Sequence, residues 1–168
     1  LLDELITVVP HQVRWAQDFL EEAAYLREIF PQHHSIEHIG STAVPGLPAV
    51  PVIDIMLAVE NLGPVRSAPF NLKGLKYEYL GAAGDAERRL YRKRGPIKLN
   101  LHVVTIGGQW WQSALRLKEY LKKHQNEAAD YGRRKLEVLN QGGWTLMNYN
   151  AQKSAFMKSL LSRAQHAP

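Results

Sequence analysis

Apolar side chains recur one helical turn apart near the start of the chain, at Trp15, Phe19, Ala23, Leu26 and Phe30. This spacing gathers them on one stripe and predicts a helix from about Gln12 to Phe30, stopped by Pro31. The period then falls to two. Ser35–Ile39 reads as a strand, and Val52–Val59, rich in Val and Ile and entered from Pro51, as a second and buried one. Leu75–Leu80 predicts a third strand, and Arg88–Arg94 with Ile97–Thr105 a hairpin around Gly95-Pro96. A turn and a half of helix is expected within Glu60–Phe70, broken by Gly63-Pro64 and Pro69. From Trp110 onward the helical period returns through Ala114, Leu117 and Leu121, then over about Glu127–Leu139 and Met147–Arg163. The sum is one α+β domain over residues 1–168: an N-terminal helix, a mixed sheet of about five strands, then C-terminal helices.

One position breaks the pattern. Asp54 interrupts the apolar run of the second strand, where alternation sets Ile53, Ile55, Leu57 and Val59 on one face and Val52, Asp54, Met56 and Ala58 on the other. A buried, unpartnered carboxylate costs several kcal/mol, on the order of the desolvation penalties of buried ions. Asp54 therefore calls for a cation, a metal or a set of donors beside it, or an open end of the sheet. Just upstream, Gly40-Ser41-Thr42 leads into a loop with prolines at 45, 48 and 51. A glycine turn with successive amide groups and two hydroxyls suits a phosphate, although the same residues also make ordinary capped turns.

Composition narrows the field. A chain of 168 residues, 45% hydrophobic and 22% charged, can bury a sizeable core as an ordinary globular protein. No apolar run approaches the roughly 20 residues that cross a bilayer, and no signal peptide is read. With no cysteine, disulfides and thiolate metal sites are excluded. The expectation is a cytoplasmic protein, although Leu1 is not a natural start and leaves the native N-terminus open. The net charge of +5 and pI near 9.5 suit a polyanionic partner. The excess concentrates in residues 88–98, where Arg88, Arg89, Arg92, Lys93, Arg94 and Lys98 stand without an acid. A lone basic strand is more often a phosphate site or a solvated face than a nucleic-acid surface, so nucleic acid is the weaker reading.

The stretch His38-Ile-Gly-Ser-Thr-Ala-Val-Pro-Gly-Leu, followed by Pro51-Val-Ile-Asp-Ile, resembles the signature of the GrpB family, a bacterial branch of the nucleotidyltransferase superfamily. Trp15 and Phe19 resemble the family's opening helix, Arg89 with Lys93 its basic strand, and Leu101-His102-Val103 its Leu-His-Val motif. Glu119-Tyr120-Leu121 with His124 resembles a later helix, as do the pairs Tyr131/Lys135 and Tyr149/Lys153, so the likeness covers about residues 8–163. It implies a nucleotidyltransferase-like fold and a nucleotide or other phosphate ligand. Gly40, Ser41 and Thr42 would then hold phosphate, Arg89, Lys93, His124 and Lys153 would bind the ligand, and Asp54 with His102 would act as catalytic or metal-holding groups. A divalent metal, Mg²⁺ or another, is the cofactor it implies.

Two departures stand out, the first of which weakens ordinary nucleotidyl transfer even though the GrpB pattern itself often lacks the acid concerned. The second acid of the superfamily's Asp-x-Asp pair is replaced by Met56, and a thioether is a poor ligand for Mg²⁺. Asn100 stands where the family often has histidine. Glu37 and Glu78 are the nearby strand acids that could substitute. The alternative is a non-catalytic nucleotide- or phosphate-binding module acting through a protein partner such as a coenzyme A biosynthesis kinase, since GrpB-like domains also occur fused to one. His38 is read evenly as a site residue or a brace for the turn.

Overall fold

The structure, a computed structural model, describes residues 4–63, 76–82, 86–142 and 144–166. Its elements run α1 (Arg14–Ile29), β1 (Ser35–Ile39), β2 (Ile53–Val59), β3 (Glu78–Gly81), β4 (Arg88–Lys93), β5 (Leu99–Thr105), α2 (Gln109–Lys123), α3 (Gln125–Asn140) and α4 (Leu146–His166), with a single 3₁₀ turn at Ser41–Ala43. The helix expected within Glu60–Phe70 falls largely outside the described residues, as does Leu75 at the start of the third strand, whose Lys76 and Tyr77 precede β3 rather than belong to it. Otherwise each expected element is present, with ends displaced by a few residues.

The five strands form one mixed sheet in the order β1-β2-β5-β4-β3. Only β2 and β5 are parallel; β1 runs antiparallel to β2, β4 to β5 and β3 to β4. Alternation along the central strands divides the molecule. Ile53, Ile55, Leu57, Leu99, Leu101 and Val103 meet Trp15, Leu26 and Phe30 of α1 in one core, all nearly inaccessible to solvent. The opposite face carries Met56, Ala58 and Val104 beneath Ile39 and α2, whose Trp110, Trp111, Ala114 and Leu115 cover them. A third cluster ties α2, α3 and α4 to the proline loop through Val44, Leu47, Leu121, Tyr131 and Leu160. Burial of each such large apolar side chain contributes about 1.5–3 kcal/mol. Helices thus cover both faces, and the end of β2 that carries Asp54 opens into a gap under the C-terminal helices.

Candidate functional site

The parallel register sets Asp54 beside Asn100 and Met56 beside His102. Asn100 Nδ2 donates to Asp54 Oδ1 at 2.9 Å, and His102 Nε2 lies 3.2 Å from the same oxygen. Arg88 approaches the other ring nitrogen of His102 at 3.5 Å. A guanidinium can only donate, so Nδ1 is the accepting nitrogen and Nε2 carries the proton given to Asp54. Asn100 Oδ1 in turn accepts from Arg94, whose guanidinium is clasped by Glu4 at 2.7 Å. Burial pushes the Asp54 carboxyl up, but the His102 and Asn100 hydrogen bonds and the charge of Lys153 outweigh it, and the net direction is down. Asp54 is therefore an ionised carboxylate in a polar cradle, its side chain 30% exposed to the cavity.

The Gly-Ser-Thr turn closes against that carboxylate. Gly40 has φ 71°, and a Cβ there would stand 2.6 Å from Asp54 Oδ2, so both the backbone conformation and the close approach demand glycine. Ser41 faces the cavity, and its hydroxyl accepts from Lys135 Nζ at 2.7 Å. The same ammonium reaches the Pro48 carbonyl at 2.7 Å, so one buried lysine of α3 fastens the turn to the proline loop. Burial first and the nearby Lys153 second bring the Lys135 ammonium down to about 6, with Asp54 partly opposing them. Thr42 Oγ1 bonds His38 Nε2 at 2.9 Å, and the His38 ring stacks on Phe19 at 5.0 Å. His38 belongs to the α1 face of the sheet, where its register partner is Ile55. It braces the turn from behind.

Two chambers meet over this cluster, sharing Ser41, Asp54, Arg88, His102 and Lys153. The first, about 520 Å³, adds Thr42, Arg94, Lys98, Asn100 and the acid Glu4, and its cations outnumber its carboxylates. The second, about 830 Å³, runs between α2 and α4 along Trp110, Ala114, Leu117, Leu121, Met157 and Leu161. Lys153 lines both. Its Nζ lies 4.6 Å from the centre of the Tyr149 ring. Among the described residues, no carboxylate stands within ion-pairing distance of it, and burial pushes its ammonium down despite Asp54.

Of the residues expected at the ligand, Gly40, Ser41, Thr42, Asp54, His102 and Lys153 converge here. Arg89 and Lys93 do not, and the expectation is corrected. They pair in register with Val103 and Leu99, on the α1 face. Arg89 is 4% exposed and donates to the Ala86 and Arg88 carbonyls, while Lys93 is held by Glu22 of α1 at 2.8 Å. Their neighbours Arg88, Arg94 and Lys98 line the first chamber instead. His124 is also displaced: it is exposed at the junction of α2 and α3, stacked on Tyr120 at 4.1 Å. Lys135 is the residue whose place the sequence reading missed. Its one-turn spacing from Tyr131 was visible, but its reach back to Ser41 was not.

The donor set does not fit a pair of divalent cations. Met56 is fully buried under Ile39, and among the described residues no group of three or more His, Asp or Glu side chains could hold a metal ion. Glu37 is engaged by Lys118 at 3.2 Å and Glu78 by Arg92 at 2.7 Å, so neither acid is offered to Asp54. With Nε2 protonated toward Asp54, His102 presents no lone pair beside that carboxylate.

Comparison with known proteins agrees with this architecture. The family model described as GrpB protein matches residues 5–163. Among similar curated proteins, UPF0157 protein YqkA of Bacillus subtilis is 28% identical over 95% of this chain, which spans only 47% of that relative's length. The glutamate-rich protein GrpB of Alkalihalophilus pseudofirmus is 27% identical, with 94% of each chain covered. The crystal structure of conserved protein GrpB from Enterococcus faecalis superposes with a TM-score of 0.86 at 30% identity, over 94% of this chain and 96% of that one.

Proposed function

The chain belongs to the GrpB family, and from that premise we propose that it is a binding protein for a nucleotide or other phosphate ligand, with residues 1–168 acting as one unit. The observation that carries this reading is Lys153, a largely enclosed ammonium with no carboxylate partner among the described residues, facing the cavity beside the Gly-Ser-Thr turn. A desolvated cation of this kind is stabilised by an incoming anion. Arg88 and Lys98 add positive charge along the same chamber, Arg94 being balanced by Glu4, and Ser41 and Thr42 supply hydroxyls. Asp54 positions this cradle through Asn100 and His102 and orients a bound phosphate by repulsion from one side. Catalysis of a metal-dependent nucleotidyl transfer is the less supported reading, because the second acid is absent from position 56 and the nearby glutamates are already paired. Among the described residues no helix is long and apolar enough to cross a membrane.

A thermal-shift series with orthophosphate and nucleoside triphosphates, with and without Mg²⁺ or Mn²⁺, tests the reading. A ligand at a hundredfold its Kd adds about 2.7 kcal/mol. Stabilisation without metal, retained in Asp54→Asn and lost in Lys153→Met, is the expected result. Stabilisation that requires metal and disappears in Asp54→Asn would transfer the case to the enzyme reading. No shift with any phosphate compound would sink both.

A further inference from the structure

The two chambers differ in chemistry, and that difference carries information about the other end of the ligand. Orthophosphate alone would leave most of the larger chamber unfilled. The second chamber is larger, about 830 Å³ against about 520 Å³, and falls within the 300–1,000 Å³ typical of small-molecule sites. One side of it is apolar, where Ala114, Leu117 and Leu121 from α2 and Met157 and Leu161 from α4 line it, while Glu87, Arg88 and Lys118 stand elsewhere in its wall. At its mouth the Trp110 ring stacks on His102 at 5.0 Å, with the Arg88 guanidinium 5.2 Å from the Trp110 ring centre. The chambers share Ser41, Asp54, Arg88, His102 and Lys153 in their walls and so lie side by side, within reach of one molecule.

From this arrangement we propose that the ligand is a phosphate ester whose organic group is apolar on at least one face, with the phosphate at Lys153 and the organic group between α2 and α4. The inference rests on the phosphate reading above and adds the class of the esterified group. Two sources share this chemistry. A nucleotide would lay the apolar face of its base along the helices, with Gln109 and Ser113 available to its polar edge. An alkyl phosphate would fill the same wall with methylenes, each worth roughly fourfold in affinity when buried.

The test compares orthophosphate, adenosine monophosphate and n-octyl phosphate on the full chain by calorimetry, in wild type, Ala114→Phe and Met157→Gln. The first substitution fills the apolar chamber, and the second places an amide in its wall at nearly constant volume. We expect at least one ester to bind tenfold or more tightly than orthophosphate, and the ratio of ester to orthophosphate affinity to fall at least fivefold in both variants. The preferred ester then identifies a base or a chain as the natural occupant. Should both esters bind no better than orthophosphate, the inference is overturned while the phosphate site stands. A gain that survives both substitutions overturns it equally, because the organic group then lies elsewhere. If orthophosphate and both esters all fail to bind, the phosphate reading fails and this inference falls with it. Far-ultraviolet circular dichroism of each variant separates loss of fold from loss of ligand.

Discussion

Gly40 shows how one residue joins backbone geometry to the site. Its φ of 71° lies in the left-handed region, and the space a methyl would need is taken by Asp54 Oδ2. Gly40→Ala must therefore move the carboxylate away from Asn100 and His102 or unwind the 3₁₀ turn and separate Ser41 from Lys135. The expected cost is about 1–3 kcal/mol of stability, the usual range for a forced backbone conformation. The accompanying loss of phosphate binding should be at least tenfold. By contrast, Gly46 also has positive φ but nothing near its Cβ position, so Gly46→Ala carries the strain without the collision. Denaturant unfolding and phosphate titration of the two variants check this: binding should fail in Gly40→Ala and persist in Gly46→Ala. Comparable binding in both would mean that the Gly40–Asp54 approach is not needed for the site.

At the scale of the element, β4 performs two tasks on two faces. Arg89, Tyr91 and Lys93 meet the α1 core, and Arg88, Leu90 and Arg92 share the face of His102 and Asn100. Arg89→Met removes the donor that the Ala86 and Arg88 carbonyls share and should cost about 1–3 kcal/mol of stability while phosphate affinity changes little. Arg88→Met should do the reverse, lowering phosphate affinity severalfold with the smaller loss of stability. Equal effects of the two substitutions on binding would contradict the assignment of faces. The assignment also explains where sequence reading fell short. The basic strand and its alternation were visible in Arg88–Arg94, but which face met Asp54 depended on the register of a hairpin. A turn centred between Gly95 and Pro96 would place Arg89 opposite His102. The turn is centred on Pro96, with Lys93 opposite Leu99, and that shift of one residue exchanges every side chain between faces. Asp54 and His102 were legible because they lie on strands whose pairing the apolar runs dictate, and the Gly-Ser-Thr turn because it directly follows one of those strands. Lys135 reaches Ser41 from a helix more than ninety residues downstream, and no local period reports such a contact.

Across the whole molecule, the helices do more than cover the sheet: they bring two lysines, Lys135 and Lys153, into the low-dielectric space above one carboxylate. Folding therefore releases protons. Lys135 has an ordinary value of 10.5 and falls to about 6 in the folded chain. Between those limits the unfolded chain binds a proton at this residue that the folded chain does not, so the contribution of Lys135 to stability rises with pH across that window. Below about pH 6 both states carry the proton, and the full cost of burying the ammonium opposes folding. Lys135→Met should flatten the rise in unfolding free energy measured between pH 7 and 9, while Lys98→Met, at an exposed lysine, should leave it intact. A bound phosphate reverses the effect locally, because its charge raises the lysine values and draws protons back. Phosphate binding should then take up protons, and affinity should fall as pH rises above about 6. Orthophosphate itself titrates near this range, so the informative quantity is the difference in slope between wild type and Lys135→Met, in which the ligand's own ionisation cancels. Calorimetry in buffers of different ionisation heat measures that difference directly. Equal proton uptake in the two proteins would remove Lys135 from the linkage and leave it only the task of fastening Ser41 to the proline loop.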